Sequence, residues 1–431
     1  MTKVFKFGGA SIKDAAAIRH LGELLGGFRG HPLVVVISAM GKTTNALEAL
    51  LEAMRSDQQD DYRDRLERLE ADHLATVEAL FGSEAGDLRD RIRSLFAELD
   101  QRHRAYCHED RALHYDQTIG YGELLSTTIV AAWLEESGIA TRWLDARDLI
   151  ITDASHQAAN IDWQATAQRV GELEVDSEKL LVTQGFIGST RDGLSTSLGR
   201  EGSDFSAAIL AYCLDAEDAT FWKDVPGLFN ADPRRFDNAV PLAHLSYAET
   251  IELAWHGAKV IHPKTLAPLQ RKSIPLVVRS FETPDAAGSL IDDDTRNDGE
   301  HPACILSEGQ TLLEVHPRDL AFMDEARQYH ILGRLVEAGL HAELIDGGAT
   351  RLLLCLDSHP ARLEQLVQSL SVDYDMARQD DLTLLTVRHP SASLLAGLSE
   401  GREILAERRN ATTAQYLFHT RECPEAWHIP E

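Results

Sequence analysis

Residues 197–224 read SLGREGSDFSAAILAYCLDAEDATFWKD, in which a glycine-containing turn precedes a helical pattern and a short apolar strand pattern. Ser203 and Asp204 follow the turn, and both residue types commonly cap helix N-termini. We therefore expect a helix that begins near Asp204. Free N–H groups at its start and the glycines of the turn predict a site for a phosphate or carboxylate. An ordinary turn before a surface helix has similar residues, but Arg200 beside Ser203 and Asp204 favours the anion site.

The beginning of the chain has a second glycine turn next to a charged residue. Val4 to Phe7 predicts a buried strand that runs into Gly8 and Gly9, and a helix and a second strand follow it. Open α/β sheets bind ligands at the carboxyl ends of such strands. Lys6 is a charge inside this apolar strand. A lysine that extends to solvent at a strand end would explain it, but the glycines that follow favour an ammonium group facing a ligand.

Two further loops contain polar residues ahead of predicted helices. Residues 38–45, SAMGKTTN, do not form a P-loop, because the first glycine of that motif would fall at Val36, inside the second strand. Their hydroxyl groups could bind a polar substrate or simply cap the helix. Residues 120–123, GYGE, precede another helix. Glu123 suits the positive end of that helix, and it could also bind an ammonium group.

Composition restricts the class of protein. A length of 431 residues predicts two to three domains, and a net charge of −27 argues against nucleic acid or an anionic membrane surface as a partner. The five cysteines are scattered without C-x-x-C spacing, which favours a reducing compartment. We find no signal-peptide pattern and no long apolar run, and no metal-ligand spacing of His and Cys. We therefore expect a soluble, cytoplasmic protein without a metal site of its own.

The order of predicted elements indicates the fold class. Residues 46–117 predict amphipathic helices without strands. Elsewhere strands and helices alternate, which predicts an α/β fold with a mostly parallel sheet covered by helices on both faces. Residues 283–302 are rich in Gly, Asp and Pro and predict a linker or domain boundary. The strands are expected at residues 141–144, 180–186, 219–223 and 275–280, and the helices between them at 163–173, 204–214 and 246–255.

The last part of the chain has a different pattern. Strands expected at 311–315, 341–346, 351–356 and 374–378, with helices at 322–338 and 361–370, give a βαββαβ order. Further on, a strand at 382–388, a helix at 394–405 and a strand at 412–418 are predicted. They resemble an incomplete second copy that a strand at 303–306 would complete. This predicts an α+β, ferredoxin-like region.

Six sequence blocks taken together resemble aspartate kinase, a member of the amino-acid kinase superfamily, and they occur in the order of that family. The C-terminal pattern is similar to the ACT module found in such enzymes. The resemblance implies an amino-acid kinase catalytic domain at 1–295 and a tandem ACT-like regulatory region at 303–431, with the second copy incomplete. The blocks are KFGGAS (6–11), SAMGKTTN (38–45), GYGE (120–123), SLGREGSD (197–204), KDVPGLFNADPR (223–234) and HGAKVIHP (256–263).

The resemblance implies that ATP, carrying Mg²⁺, phosphorylates the side-chain carboxylate of L-aspartate to 4-phospho-L-aspartate, the first step towards lysine, threonine and methionine. A carboxylate is already ionised at neutral pH, so this reaction needs alignment and charge neutralisation and no general base. The ACT-like region implies feedback inhibition by lysine or threonine and a homo-oligomer. The implied roles are catalysis for Lys6 and Asp204, aspartate binding for Thr44, Glu123, Arg200 and Ser203, and nucleotide binding for Gly8, Gly9, Ser11, Lys223, Asp224, Phe229, Arg234 and Lys259.

Several residues depart from the family pattern. Glu201 stands where a glycine is usual, so its carboxylate must point away from the anion site if the activity is intact. Ala10, Lys223 and Phe229 replace Thr, Thr and Tyr. Two alternatives therefore stay open, namely a catalytically silent protein that senses amino acids and another amino-acid kinase that acts on glutamate.

Overall fold

The computed structural model describes residues 1–258, 261–319 and 321–430. Its strands are β1 (Lys3–Phe7), β2 (Leu33–Ile37), β3 (Thr141–Leu144), β4 (Ile151–Thr152), β5 (Leu180–Gln184), β6 (Ile187–Thr190), β7 (Ser195–Ser197), β8 (Asp218–Lys223), β9 (Leu228–Phe229), β10 (Pro241–Leu242), β11 (His244–Ser246), β12 (Leu276–Ser280), β13 (Ser289–Asp292), β14 (Ala303–Pro317), β15 (Ala342–Gly347), β16 (Leu352–Asp357), β17 (Tyr374–Arg388), β18 (Ala406–Arg409) and β19 (Thr413–His419).

The α-helices are bounded as follows, with short 3-10 turns at Gly9–Ile12, Gly82–Glu84 and Thr420–Glu422. They are α1 (Ala15–Gly26), α2 (Thr43–Arg55), α3 (Gln59–Phe81), α4 (Gly86–Tyr106), α5 (Arg111–Ile119), α6 (Tyr121–Glu136), α7 (Ala146–Leu149), α8 (Trp163–Gly171), α9 (Gly202–Cys213), α10 (Tyr247–Trp255), α11 (Pro263–Arg271), α12 (Glu325–Glu337), α13 (Pro360–Leu370) and α14 (Ala392–Ser399).

The first part of the chain forms an eight-stranded sheet in the order β11-β13-β12-β8-β1-β2-β5-β3. All neighbouring pairs are parallel except β12 with β13, which confirms the predicted α/β class. β1 lies between β2 and β8, so the two glycines after β1 lie at the centre of the carboxyl edge. Both β1 and β2 are almost wholly buried, and the Phe7 ring stacks on Trp222 of β8 with ring centroids 6.0 Å apart. A sheet covered on both faces requires such apolar central strands.

Two local predictions in this part are correct in position but wrong in detail. Helix α9 begins at Gly202, and its N-cap is Glu201, so Ser203 and Asp204 lie inside the first turn and do not cap it. The Asp204 carboxylate pairs with lysine ammonium groups, which is why it does not bind the helix N–H groups. The predicted linker or domain boundary at 283–302 does contain a boundary between two compact units, after Asp294. It also contains β13, in which Ser289 and Ile291 are buried, so it is not a linker throughout. Pairing with β11 and β12 makes a strand of residues whose composition is typical of a loop.

The C-terminal residues form a six-stranded antiparallel sheet in the order β15-β16-β14-β17-β19-β18. With α12 and α13 on the first half and α14 on the second, this is the predicted ferredoxin-like α+β region. β14 and β17 each span both halves and pair with each other along their length, with register shifts near Gln310. Each of these strands was predicted as two. β14 contains the strands predicted at 303–306 and 311–315, and β17 contains those predicted at 374–378 and 382–388. The helix expected to reach residue 405 ends at Ser399, and β18 was missed.

Contacts divide the chain into two compact units. The first contains Met1–Leu228, Ala243–Tyr247 and Ile261–Asp294, and the second contains Phe229–Leu242, Ala248–Val260 and Thr295–Glu431. The segments in the middle of the chain thus alternate between the two units.

The helices of the described residues are all too short or too polar to cross a membrane.

Candidate active site

A cavity of about 680 Å³ opens in the first unit at the carboxyl edge of the eight-stranded sheet. It is lined by residues from distant parts of the chain that the sequence analysis singled out separately. These are Lys6, Gly9, Thr44, Glu123, Arg200, Ser203, Asp204 and Lys223.

Asp204 lies between two lysine ammonium groups. Its Oδ1 atom is 2.7 Å from Lys6 Nζ, and its Oδ2 atom is 3.3 Å from Lys223 Nζ. The lysines come from the ends of the neighbouring strands β1 and β8, and the carboxylate comes from the first turn of α9. Burial opposes ionisation of Asp204, but the two ammonium groups keep its pKa below the ordinary value. This trio therefore carries a net positive charge at the cavity.

Glu123 is a buried acid in the first turn of α6. Its Oε1 atom accepts a hydrogen bond of 3.1 Å from the backbone N–H of Ala39, whereas its Oε2 atom has no hydrogen-bond partner among the described residues. Burial raises the pKa of Glu123 to about 8, although the Ala39 N–H and the Lys6 ammonium act in the opposite direction. A cationic group of a ligand in the cavity could donate the hydrogen bond that this buried oxygen lacks among the described residues.

The turn after β1 brings its backbone close to the loop after β2. A Cβ atom at Gly9 would lie 2.6 Å from the Ala39 carbonyl oxygen, which no side chain could tolerate, and the Gly9 carbonyl accepts the Gly41 N–H at 3.1 Å. Gly8 and Ser11 lie in the same turn, where the Ser11 N–H donates to the Gly8 carbonyl at 3.0 Å. This turn requires glycine because two backbone segments meet there.

Glu201 occupies the position that the family resemblance left in doubt. Its φ of 54° lies in the left-handed region that favours glycine. Its Oε2 atom accepts a hydrogen bond of 2.9 Å from the backbone N–H of His262, although Glu201 also lies in the lining of the cavity. The carboxylate is therefore directed at the beginning of α11. Arg200, next to it, is exposed at the cavity.

The remaining predicted nucleotide residues lie elsewhere in the chain. Asp224 is exposed immediately after β8. Phe229 and Arg234 belong to the second unit, and the Arg234 guanidinium pairs with Asp232 at 2.7 Å. Lys259 lies outside the described residues. Eight of the fourteen predicted residues thus line the cavity. Of the other predicted residues that the structure describes, none is among the lining residues: Gly8, Ser11, Asp224, Phe229 and Arg234.

Sequence reasoning missed one wall of the cavity. Tyr115 of α5 lines it, and its hydroxyl donates to Glu48 at 3.1 Å. Gln157, another lining residue, has a φ of 70°, and its backbone N–H donates to the buried carboxylate of Asp116 at 3.1 Å. The same carboxylate accepts the Ser197 hydroxyl at 2.6 Å. Asp116 therefore joins the loop that contains Gln157 to the end of β7 at Ser197. In the sequence it is one of several polar residues of α5, so nothing there distinguishes it.

Comparison with known proteins identifies the family of this chain. A sequence model described as the amino acid kinase family matches residues 1–280. Lysine-sensitive aspartokinase 3 of Escherichia coli is 32% identical over 361 residues, which are 82% of this chain and 78% of that protein. The bifunctional aspartokinase/homoserine dehydrogenase 2 of Arabidopsis thaliana is 33% identical over 296 residues, and the match covers 68% of this chain but only 32% of that protein. The chain thus spans about a third of the length of such bifunctional relatives.

Solved structures give the same result. Escherichia coli aspartokinase III in complex with lysine and aspartate superposes with a TM-score of 0.82 at 28% identity, over 98% of this chain and 97% of that one. The complex of the same enzyme with aspartate and ADP gives a TM-score of 0.80 over the same shares of the two chains. The chain therefore belongs to the amino acid kinase family and, within it, to the aspartokinases.

Proposed function

We propose that this protein transfers the terminal phosphoryl group of ATP to the side-chain carboxylate of L-aspartate, forming 4-phospho-L-aspartate. The observation that carries the proposal is the arrangement of charge in one cavity, where a buried Glu123 carboxylate with one unpartnered oxygen accompanies Lys6, Lys223 and Arg200. An amino acid with a second carboxylate presents one ammonium group and two anionic groups, which these side chains can bind. The Escherichia coli relative has been solved with aspartate and ADP together.

The amino-acid end of the substrate would be held by opposite charges. Glu123 would bind the α-ammonium group through Oε2, and Arg200 would bind the α-carboxylate through two parallel N–H donors. Thr44 and Ser203 line the same cavity and would donate hydroxyl hydrogen bonds. Binding the two α-groups fixes the direction of the side-chain carboxylate, which is the alignment that transfer requires.

The phosphoryl group would be stabilised by the lysines. Lys6 would contact its oxygens and neutralise charge as transfer proceeds, and Lys223 would add a second cation. Asp204, which contacts both ammonium groups, would hold them in place. The Gly9 turn allows a phosphate to approach the backbone, and Mg²⁺ bound to the ATP phosphates would neutralise further charge. Of the other predicted residues, we assign Gly8, Ser11, Asp224, Phe229, Arg234 and Lys259 to nucleotide binding.

The C-terminal region would regulate this activity. We assign residues 1–295 to the catalytic domain and residues 303–431 to a tandem ACT-like region that binds an amino-acid effector. Lysine is the first effector to test, because the 32% identical relative is a lysine-sensitive aspartokinase and its structure has been solved with lysine; threonine is the alternative. We further propose that the protein is a cytoplasmic homo-oligomer.

The decisive experiment is a hydroxylamine trap for an acyl phosphate. Purified protein is incubated with ATP, Mg²⁺ and either L-aspartate or L-glutamate, and the hydroxamate is measured. We expect a product with aspartate only. A product with glutamate alone would identify a different amino-acid kinase, and no product with either would identify a silent sensor.

A matched pair of variants separates catalysis from general effects of charge. Lys6→Met should lower kcat by about 100- to 1,000-fold, the range expected when a group that stabilises charge on the transferred group is removed. Lys179→Met makes the same change at an exposed position and should leave kcat within a factor of about two. Equal effects of the two changes would contradict the role assigned to Lys6.

A further inference from the structure

The loop that connects β7 to α9 is held in an unfavourable conformation. Leu198 to Glu201 carries Arg200 into the cavity, and both Gly199 and Glu201 have positive φ angles, of 72° and 54°. For a residue other than glycine, such a φ raises the conformational free energy by about 1–2 kcal/mol. This conformation therefore occurs only where the surrounding contacts stabilise it. The contacts that hold Glu201 therefore determine where Arg200 lies.

Those contacts come from the first turn of α11. The Glu201 carboxylate accepts the His262 N–H at 2.9 Å. Lys264, two residues further on, donates its ammonium to the Leu198 carbonyl and lies 5.1 Å from the centre of the Phe205 ring. The loop is thus fixed at its first residue by Lys264 and at its last residue by Glu201.

The beginning of α11 is itself well ordered for this purpose. His262 is the N-cap, and its Nδ1 atom accepts the Lys264 N–H at 3.2 Å. One N–H of the helix start is thereby satisfied by the cap, while the His262 N–H is left for Glu201. A carboxylate also suits the positive end of α11. These contacts lie within the first unit.

We propose that Glu201 and Lys264 are positioning residues that hold the 198–201 loop so that Arg200 can bind the α-carboxylate of the substrate. Glu201 replaces the conformational freedom of a glycine by a tether to α11, which explains how a negative charge can stand beside an anion site without binding there. This inference rests on the proposed function, because it concerns the binding of aspartate.

The test uses Glu201→Ala, Glu201→Gln and Lys264→Met in the full chain. Glu201→Ala keeps a side chain at the unfavourable φ but removes the acceptor, and Lys264→Met keeps the length of the side chain but removes the donor. We expect each to raise KM for L-aspartate about 10-fold, equivalent to about 1.4 kcal/mol, with kcat within threefold and KM for ATP within twofold. Glu201→Gln keeps an acceptor oxygen, so its KM for aspartate should rise less than threefold.

Three further measurements make the result decisive. Binding of L-aspartate without ATP, measured by calorimetry, should weaken by the same factor as KM rises. The double variant Glu201→Ala with Lys264→Met should be less than additive, because both side chains hold one loop. Glu67→Ala, at an exposed position of α3, should change neither constant. If Glu201→Ala does not fold, Glu201→Gly replaces it, because glycine removes the acceptor without the unfavourable φ of a larger residue. A KM for aspartate that is higher in Glu201→Gly than in Glu201→Gln would then support the role of the acceptor.

The failures of the two proposals are distinguishable. A wild-type protein that forms no aspartyl hydroxamate would overturn the proposed function. A wild-type protein that is active, with KM for aspartate unchanged by Glu201→Ala and Lys264→Met, would overturn only the positioning role. Equal rises of KM for aspartate and for ATP would also overturn it, since they would indicate a general structural effect.

Discussion

Glu123→Gln should make the folded protein more stable at alkaline pH while weakening aspartate binding. Burial raises the pKa of Glu123 from 4.5 to about 8 in the folded protein, and unfolding returns the carboxyl to water. Between these pH values the folded protein retains a proton that the unfolded chain has lost, so the free energy of unfolding falls as pH rises. Below pH 4.5 the residue has no such effect, and above pH 8 its cost is constant.

The magnitude follows from the shift. Each pKa unit corresponds to about 1.4 kcal/mol, so ionising Glu123 in the apo protein costs about 3–5 kcal/mol by pH 9. Glutamine has the same shape and can still accept the Ala39 N–H, but it cannot ionise. The stability of Glu123→Gln relative to wild type should therefore rise by about 3–5 kcal/mol between pH 5 and pH 9. Any fixed cost of burying the amide cancels in that difference.

The assay is urea denaturation of both proteins at pH 5 and pH 9, with Glu67→Gln as the exposed control. Steady-state kinetics should give a KM for aspartate that is about 10- to 100-fold higher in Glu123→Gln, since a hydrogen bond between charged groups is lost. If the relative stability of Glu123→Gln does not change between pH 5 and pH 9, the burial argument is refuted. A stabilised variant with an unchanged KM would refute only the contact with the ammonium group.

Three further changes test other parts of the chain. Gly9→Ala should lose about 1–3 kcal/mol of stability and most of the activity, because its Cβ would lie 2.6 Å from a backbone oxygen. Its control is Gly26→Ala, whose Cβ would meet no atom within 4 Å and which should leave the melting temperature within about 2 °C. Equal effects of the two substitutions would contradict the steric argument. Burial lowers the pKa of His103 to about 3, so the wild-type protein should lose stability as pH falls from 6.5 towards 3. The melting temperature of His103→Gln should fall less steeply over the same range. Parallel curves for the two proteins would contradict the role of His103. Arg388→Met should lower the free energy of unfolding, measured by urea denaturation, by about 3–5 kcal/mol. The substitution removes the guanidinium group that binds both oxygens of the buried Glu249 at 3.0 and 2.6 Å. A loss below about 1 kcal/mol would show that the pair is not desolvated.

The sequence was most informative where function depends on strand ends. Lys6 and Lys223 could be expected in one cavity because parallel strands place their carboxyl ends on one edge of the sheet, and β1 and β8 are parallel neighbours. The wall formed by Tyr115 and Gln157 could not be expected, because it depends on the contacts of the Asp116 carboxylate with the Gln157 loop and with the end of β7. No periodicity or spacing records such a contact.

The errors in the strands have a similar cause. β13 was assigned to a linker because its neighbours are Asp, Gly and Pro, yet its pairing with β11 and β12 decides its conformation. β14 and β17 were each divided in two because polar residues interrupt the apolar pattern near Gln310 and Asp380. In the sheet the two interruptions face each other at the register shifts, so both strands continue. Strand identity here depends on the partner more than on local propensity.

The alternation of the chain between its two units limits how regulation can be studied. A fragment that ends at residue 295 would contain 229–242 and most of α10, which pack with the second unit, but it would lack the residues they contact. Glu249 of α10 would then lose the guanidinium group of Arg388, which comes from β17. Such a fragment should be destabilised for reasons unrelated to an effector, so a change in its activity could not be attributed to lost regulation. Point substitutions in the full chain, made within the C-terminal sheet and away from Arg388, are therefore the means by which effector binding can be separated from folding.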